Sequence, residues 1–596
     1  MDRLFPLFSY ALAHPFHSLA FGLLTAVACT ALRLAYSIFV SPRYSSIRDV
    51  PGPKRDSILW GNMARIFADP PGKTHKAWMD EFGGAARYGG MFGNQRLVLF
   101  DSTALNHVLL SNAYDYPKPE EVRGDLAMIL GKGVLFAEGE DHKRQRRILQ
   151  PAFSPSAVKA LTPVFFEYAY QLRDIWSNLI QTSAEDDAAF ASKEAARAYR
   201  DSKPEGEVAI EVLTWLSRAT LDIIGVAGFG YHFNALSRSS NALATVFSGM
   251  FSPRASATGD VRQTPVRFLL QRRLSQLIRA LPILNIAKWV PHQRIQDVRK
   301  GFETLESESR KIIESKQGEV EKDGLESVRG SKDLIALLLK SAEKDAKTRM
   351  TPEELRGQLT TFVLAGSETT STALTWTLHA LSRFPEKQQK LRDEIRAARK
   401  QAQAEGRDEL ESDELAALPY LDAVAREVLR LESPVTATVR HAARADLIPL
   451  SKPLRSASSP NQTISHIPVE PGQVIFIPIA AVNRSKEVFG ADADEFRPER
   501  WLEGEKEIEG GVGVWAHILS FLAGPRSCIG YKFALLEFKA ILSVLIDSFA
   551  FALRDADMEV ERRSQIVTRP LIVGEEKMGN RMPLRVSMAK RDEEEA

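Results

Sequence analysis

Cysteine is rare in this 596-residue chain: Cys29 lies in an apolar stretch, and Cys528 lies in FLAGPRSCIG, residues 521–530. A lone cysteine is most often an inert buried thiol. The surroundings of Cys528 point elsewhere. Gly524 and Gly530 permit close backbone approach and positive φ. The helix-forming stretch YKFALLEFKA begins directly after Gly530. The free amides and dipole of such a helix start would stabilise a thiolate. Arg526 adds positive charge in a fork that suits a carboxylate, and Phe521 can shield the sulfur.

A second chemical stretch lies inside TPEELRGQLTTFVLAGSETTSTALTWTLHALSRFP, which opens at Thr351. Thr351 and Glu354 form a capping box with Pro352 at the first helical position, and Pro385 closes the pattern. The middle, AGSETTST, is made of poor helix formers. Ser and Thr bonding back to the helix would account for part of it, but not for a glycine and a lone acid in an apolar turn. Glycine there lets a ligand approach the backbone. Glu368 and Thr369 are an acid beside an alcohol, as a proton relay needs. Phe362 and Ala365, on a nearby face, are expected to line a pocket.

Three further groups carry charge. Glu427 and Arg430 stand at i, i+3 in LPYLDAVAREVLRLESP. Such pairs are usually solvated, but Ala423, Val424 and Leu431 make this face look buried, and a buried carboxylate needs partners. Downstream, FRPERW offers Arg500. GEDHKRQRRILQPAF reads as a basic helix containing His142 and Arg146, and TVRHAARAD contains Arg440 and His441.

Together these stretches resemble the cytochrome P450 family, with the motifs in order at 142–146, 365–370, 427–430, 496–501 and 521–530. The resemblance implies a mainly α fold with minor β, and haem b (iron protoporphyrin IX) with Cys528 as its axial thiolate. Electron donation from that thiolate favours O–O cleavage. It places Phe521, Gly524, Arg526 and Gly530 in the haem-binding loop, with Arg526 suited to a propionate. By the same resemblance Thr369 hydrogen-bonds dioxygen, Glu368 helps deliver protons, and Glu427, Arg430 and Arg500 form a structural triad. Arg146 matches the arginine of a tryptophan–arginine pair. His142 stands where the tryptophan is usual, and can still donate to a propionate. Arg440 or His441 supplies another propionate contact, the register being open between them.

The elements that must position these groups follow from the rest of the chain. Residues 18–40, SLAFGLLTAVACTALRLAYSIFV, are long enough at about 1.5 Å per residue to cross a bilayer core of about 30 Å. Arg43, Arg48, Lys54 and Arg55 follow, so the positive-inside bias leaves the body in the cytosol. We therefore expect an N-terminal single transmembrane helix (anchor 1–45, haem-thiolate domain 46–596). Resemblance to fungal microsomal members places it in the endoplasmic reticulum membrane. A cleaved signal peptide is the rival reading. DVPGPKR makes a stiff bend between anchor and body. Residues 88–101 read as a hairpin, 451–466 as a Ser- and Pro-rich loop, and 467–480 as a strand pair around a Pro-Gly turn. Residues 181–207 and 316–350 read as polar insertions.

Composition narrows the function. A formal net charge of +2 argues against a nucleic-acid binder. Two cysteines exclude a disulfide framework and a multi-cysteine zinc site. The expectation is a monooxygenase that inserts one atom of O2 into a hydrophobic small molecule, a terpenoid or other secondary metabolite. Electrons come from NADPH through a reductase, docked on Lys143, Arg144, Arg147 and Lys532. Substrate contacts are expected from 114–135, 236–270, Val435–Thr438 and 566–573, with Thr436, Thr438 and Arg569 orienting polar groups. Two alternatives stay open: a haem-thiolate isomerase or dehydratase needing no external electrons, and a non-enzymatic haem- or lipid-binding membrane protein.

Overall fold

The computed structural model describes residues 15–183, 186–190, 196–197, 199, 204, 206–237, 303–304, 307–314, 318, 334, 350–459, 461–503, 510–564 and 567–590. Nearly all of the expected insertion at 316–350, about half of that at 181–207 and nearly all of the substrate segment 236–270 lie outside these residues.

The expected helices form where their signals stand. The long helix runs from Pro352 to Arg383, and Thr351 and Glu354 complete the capping box. At 32 residues it spans roughly 48 Å. The apolar helix Val212–Phe229 lies along it, and hydroxyls bind the two together: Thr220 Oγ1 donates to the Ser367 carbonyl at 2.9 Å and Ser217 Oγ to Ser371 Oγ at 3.2 Å. Gly366 is what permits this approach. A Cβ there would stand 2.8 Å from Ile224 Cγ1, so the packing of the two helices requires this glycine. Helices Pro385–Ala404, Pro419–Leu431 and Tyr531–Ser548 complete the bundle, with Thr162–Gln181 against the last of them.

The β structure is minor. Strands Ala85–Gly89 and Gln95–Leu99 form the expected hairpin. Gln95–Leu99 pairs in parallel with Val474–Ile477, which pairs antiparallel with Thr438–His441. Residues 467–480 are therefore not a hairpin: Thr463–Val469 pairs instead with Asp446–Arg455, across the stretch expected as a loop. Ser and Pro are tolerated there because the ladder has two strands and its register shifts between Pro449 and Leu454. A three-stranded sheet joins Glu207–Glu211, Pro583–Met588 and Phe549–Leu553. A final hairpin pairs Val560–Ser564 with Thr568–Ile572.

At the N-terminus a helix covers Pro15–Ala35 and continues as a wide turn over Tyr36–Val40. Phe21, Leu24, Val27 and Leu32 stand exposed on it. The other long apolar helix, Val212–Phe229, is a core element: about 72% of it is buried.

Candidate active site

Cys528 is placed by a loop that the surrounding backbone over-determines. Its N–H donates to the Phe521 carbonyl at 2.8 Å, and the Ser527 N–H to the Gly524 carbonyl at 3.0 Å. Gly524 has φ +69°, and a Cβ there would fall 2.1 Å from the Leu109 carbonyl oxygen, so glycine is required twice over. Gly530 differs from expectation. Its φ is −94°, and a Cβ would meet only the Phe153 ring at 3.4 Å. Gly530 instead acts at the helix start, where its N–H donates to the sulfur. The Phe521 ring packs edge-on to Trp515 at 5.7 Å and against Tyr531 at 6.0 Å.

The Cys528 side chain is solvent-accessible, yet it lies deep among protein atoms, enough for burial to raise its thiol. It therefore faces an interior space. Burial pushes the thiol upward, while the Gly530 N–H and the nearby Arg146 pull it down, and burial wins. The helix start and basic neighbour act in the expected direction without making a thiolate by themselves. The cation beside the sulfur is Arg146 rather than Arg526. Arg146 donates to the Ser527 carbonyl at 2.7 Å and to Ser527 Oγ at 3.3 Å.

Arg526 belongs to a basic cluster. It forms an ion pair with Glu138, donates to the Ala113 carbonyl and lies over the Tyr114 ring. Lys118 contacts the same carboxylate at 2.6 Å. Arg440, buried, lies near both Arg526 and Glu138. Burial first, then Arg526, pushes Arg440 down to about 10; burial, Arg440 and Arg526 outweigh Glu138 to bring Lys118 to about 8. His142 is buried too, its Nδ1 3.1 Å from the Tyr114 hydroxyl. Burial, then Arg526, Lys118 and Arg146, push it down to about 4, so it is a neutral imidazole. Among the described residues one carboxylate thus faces Lys118, Arg440 and Arg526, and Arg440 Nε has no hydrogen-bond partner. This cluster calls for additional negative charge.

Arg440 and His441 stand differently on their strand. Arg440 turns into the cluster, anchored by bonds from Nη1 to Thr438 Oγ1 at 2.7 Å and to the Val439 carbonyl at 2.8 Å. His441, next along the strand, points to the opposite face, and its Nδ1 is buried without a partner. Thr438 is thereby occupied by Arg440. Tyr114 and Lys118 lie in the segment 114–135, expected to contact substrate rather than to join this cluster, and Glu138 was not singled out from sequence. Nothing in their local patterns distinguishes them from surface residues.

On the long helix, Ala365 is exposed in the middle of an otherwise buried stretch, and Thr369 one turn on is partly exposed. Both therefore face interior space. Thr369 Oγ1 donates to the Ala365 carbonyl at 2.8 Å. Phe362 does not share this opening. It is buried against Phe153, with ring centroids 5.4 Å apart. Glu368 is buried and forms an ion pair with Arg569, itself buried on the strand Thr568–Ile572. Burial pushes Arg569 down to about 10, with Glu211 as a second carboxylate acting against that shift. Arg569 is therefore a partner of buried acids and not a free group for orienting a ligand.

The triad residues meet. Glu427 accepts from Arg430 Nε at 2.9 Å and Nη2 at 2.8 Å, from Arg500 Nε at 3.0 Å, from the Arg497 N–H at 2.9 Å and from Trp501 Nε1 at 3.0 Å. Both guanidinium groups also reach backbone carbonyls, Arg430 that of Asn483 and Arg500 that of Phe489. The cluster joins the helix Pro419–Leu431 to the loop ending at Trp501 and leads the chain toward the thiol loop.

A haem fits this donor set. It needs one thiol ligand facing enclosed space and cationic partners for two carboxylates, and Cys528 and the under-neutralised cluster offer both. The comparisons agree. The cytochrome P450 family model matches residues 51–572. Cytochrome P450 monooxygenase 205 of Postia placenta is 36% identical over 95% of this chain and 97% of its own length. Cytochrome P450 monooxygenase claO of Ampulloclitocybe clavipes is 36% identical over 90% of this chain and 92% of its own. A chain with this fold, an enclosed thiol and relatives of this kind belongs to the cytochrome P450 family, oxidoreductases that bind haem through a thiolate.

Proposed function

We propose that this enzyme is a membrane-anchored monooxygenase in which Cys528 would ligate the haem iron and a hydrophobic small molecule is the substrate for hydroxylation. The observation that carries the reading is the enclosed Cys528 thiol beside a basic cluster that lacks matching negative charge. Haem, when bound, supplies the oxygen-activating chemistry. The chain's own residues hold and shape the site. Arg440, Lys118, Arg526, His142 and Arg146 would hold the propionates, His142 as a neutral donor. His441 takes no part in that contact. Thr369 presents its hydroxyl to the reacting oxygen, and Glu368 moves protons when its pair with Arg569 opens. Leu135 and Val435 expose apolar side chains in segments assigned to substrate, which supports an apolar substrate, with terpenoids the first to screen.

The helix Pro15–Ala35, with its exposed apolar side chains, supports a single span that leaves the body on the cytosolic side of the endoplasmic reticulum membrane. An NADPH-dependent reductase docks on the basic face. Of its four expected residues, Lys143, Arg147 and Lys532 are exposed, whereas Arg144 is paired with Glu354. The reduced, carbon monoxide-bound spectrum tests the ligand: the thiolate band is expected in the wild type and absent in Cys528→Ala. A normal band in that variant overturns the assignment. Turnover that requires NADPH and reductase separates monooxygenation from isomerisation; product formed without any electron donor refutes it.

A further inference from the structure

The fold holds a cavity of about 630 Å³ away from the thiol, within the range of roughly 300–1,000 Å³ common for small-molecule sites. It lies at the C-terminal end of the long helix. There Trp376, His379 and Phe384 face the end of the helix Pro419–Leu431 and the strand Val560–Ser564. His379 stands about 15 Å along the helix from Thr369. Among the described residues, none from the thiol loop, the Ala365–Thr369 opening or the expected substrate segments lines this cavity.

Its less exposed side carries more positive than negative charge. Glu432 accepts from Arg562 Nε at 2.6 Å and pairs with the same guanidinium through a second nitrogen. Arg484 stands 3.6 Å from that carboxylate. Arg484 Nη2 donates to the Leu431 carbonyl at 2.6 Å, while its Nε is buried without a partner. Two guanidinium groups thus share one carboxylate. At the edge, Arg383 is exposed and forms no ion pair with a described residue. The acids there are spent or solvated: Asp494 meets Lys76 at 3.2 Å, and Glu386 and Glu495 are exposed. Lys387 and Arg497 are taken by acids outside the cavity. The walls are aromatic. Arg562 lies over the Trp376 ring at 5.7 Å, His379 packs edge-on to Trp376 at 5.6 Å, and Phe384 meets Phe496 at 5.6 Å. Burial pushes His379 down to about 4, with Arg383 and Arg562 acting the same way against Glu432. Its imidazole is neutral and keeps one N–H to donate.

We propose that this cavity is a second binding site, for a small aromatic carboxylate, with the anion at Arg484 and Arg562 and the ring against Trp376 and His379. The one excess positive charge around Glu432 suits a monoanion, and planar guanidinium forks suit a carboxylate. The indole and imidazole walls suit an aromatic body. The site is also tied to the reaction side of the molecule. Trp376 Nε1 donates to the Thr568 carbonyl at 3.1 Å. Arg562 pairs in register with Pro570. Between Thr568 and Pro570 lies Arg569, the partner of Glu368. An occupant that draws on Arg562 therefore bears on the hairpin that holds Arg569. The inference does not depend on the monooxygenase reading, because neither haem nor turnover enters it.

The experiment titrates the full-length holoenzyme with naphthoate in a calorimeter, with naphthamide and inorganic phosphate as controls. We expect naphthoate to bind at a single site, more tightly than either control, without moving the haem absorption band. Arg562→Gln is expected to weaken binding by roughly tenfold or more, the low end for a lost charge-assisted hydrogen bond. Ala380 also lines the cavity. Ala380→Phe fills the space, leaves every charge in place and should abolish binding. Hydrogen exchange in the strands Val560–Ser564 and Thr568–Ile572 should slow when naphthoate binds the wild type, and stay unchanged in Ala380→Phe. Equal affinity for naphthamide or for phosphate overturns the aromatic carboxylate. Unchanged affinity in Ala380→Phe, or a haem band shift that survives it, puts the ligand elsewhere and overturns the site. Binding without slowed exchange refutes the link to the hairpin. The two variants act on charge and on space separately, so if thermal melting shows that one has not folded, the other decides.

Discussion

Glu427 and Glu537 are both carboxylates at 0% exposure in the same helical core, yet they have opposite surroundings. Glu427 accepts five hydrogen bonds from Arg430, Arg497, Arg500 and Trp501. Among the described residues Glu537 has no such bond of good geometry. A buried charge persists only when its partners replace the lost water. Full satisfaction marks Glu427 as structural, because nothing is left over for a substrate or a proton. An unpaired acid costs stability, and the fold keeps one beside the functional helix.

The largest expected effect comes from breaking the satisfied member. Glu427→Ala leaves Arg430 and Arg500 buried and unmatched, and should cost about 3–5 kcal/mol. Thermal unfolding and haem content measured together should both fall sharply; an unchanged melting temperature would contradict the structural role. Next, Arg569→Leu strips the cation from Glu368 and should destabilise by about 3 kcal/mol. Denaturant titration checks this, and Arg569→Leu combined with Glu368→Leu should recover part of the loss. The unsatisfied member should respond with the opposite sign. Glu537→Leu removes an uncompensated polar group and should stabilise by about 1 kcal/mol, read as a higher melting temperature.

The smallest effect belongs to a third carboxylate between these extremes. Glu499 is partly exposed and accepts from Tyr420 at 2.8 Å and from Lys387 at 3.0 Å. Burial pushes it up, but its backbone contact, Tyr420 and Lys387 hold it at about 2, against an ordinary 4.5. A depressed native value means that its contribution is present above about 4.5 and is lost as pH falls toward about 2. Acid unfolding of the wild type and Glu499→Gln should therefore converge within that window. Parallel curves throughout would remove Glu499 from the acid response.

What was legible in the sequence was local. The capping box at Thr351, the helix start after Gly530 and the acid–alcohol pair at Glu368–Thr369 depend on near neighbours, and each element forms where it was expected. Glu537 was legible by the same logic. Phe533, Leu536, Ala540, Ile541 and Val544 form an apolar stripe at helical spacing, and an acid within it carries the signal that singled out Glu368. What failed was non-local. The ladder over 446–469 pairs residues whose composition favours a loop. The hairpin expected at 467–480 lost to a parallel partner in residues 95–99. Asn483 is buried and bonded to Ser433, Ser520 and the Leu519 N–H, partners that its neighbours in sequence do not announce.

The sequence by itself determined the thiol, its loop, the helices around it and the family, because those rest on residue types at short spacing. Tertiary structure alone decided how each charge is met: Arg440 turned toward Arg526 and Glu138, Arg146 rather than Arg526 beside the sulfur, Arg569 on Glu368, and no cation paired with Glu537 among the described residues. Partners for a buried charge come from wherever the chain returns in space. Electrostatic energy depends on distance and burial, and neither can be read from position along the chain.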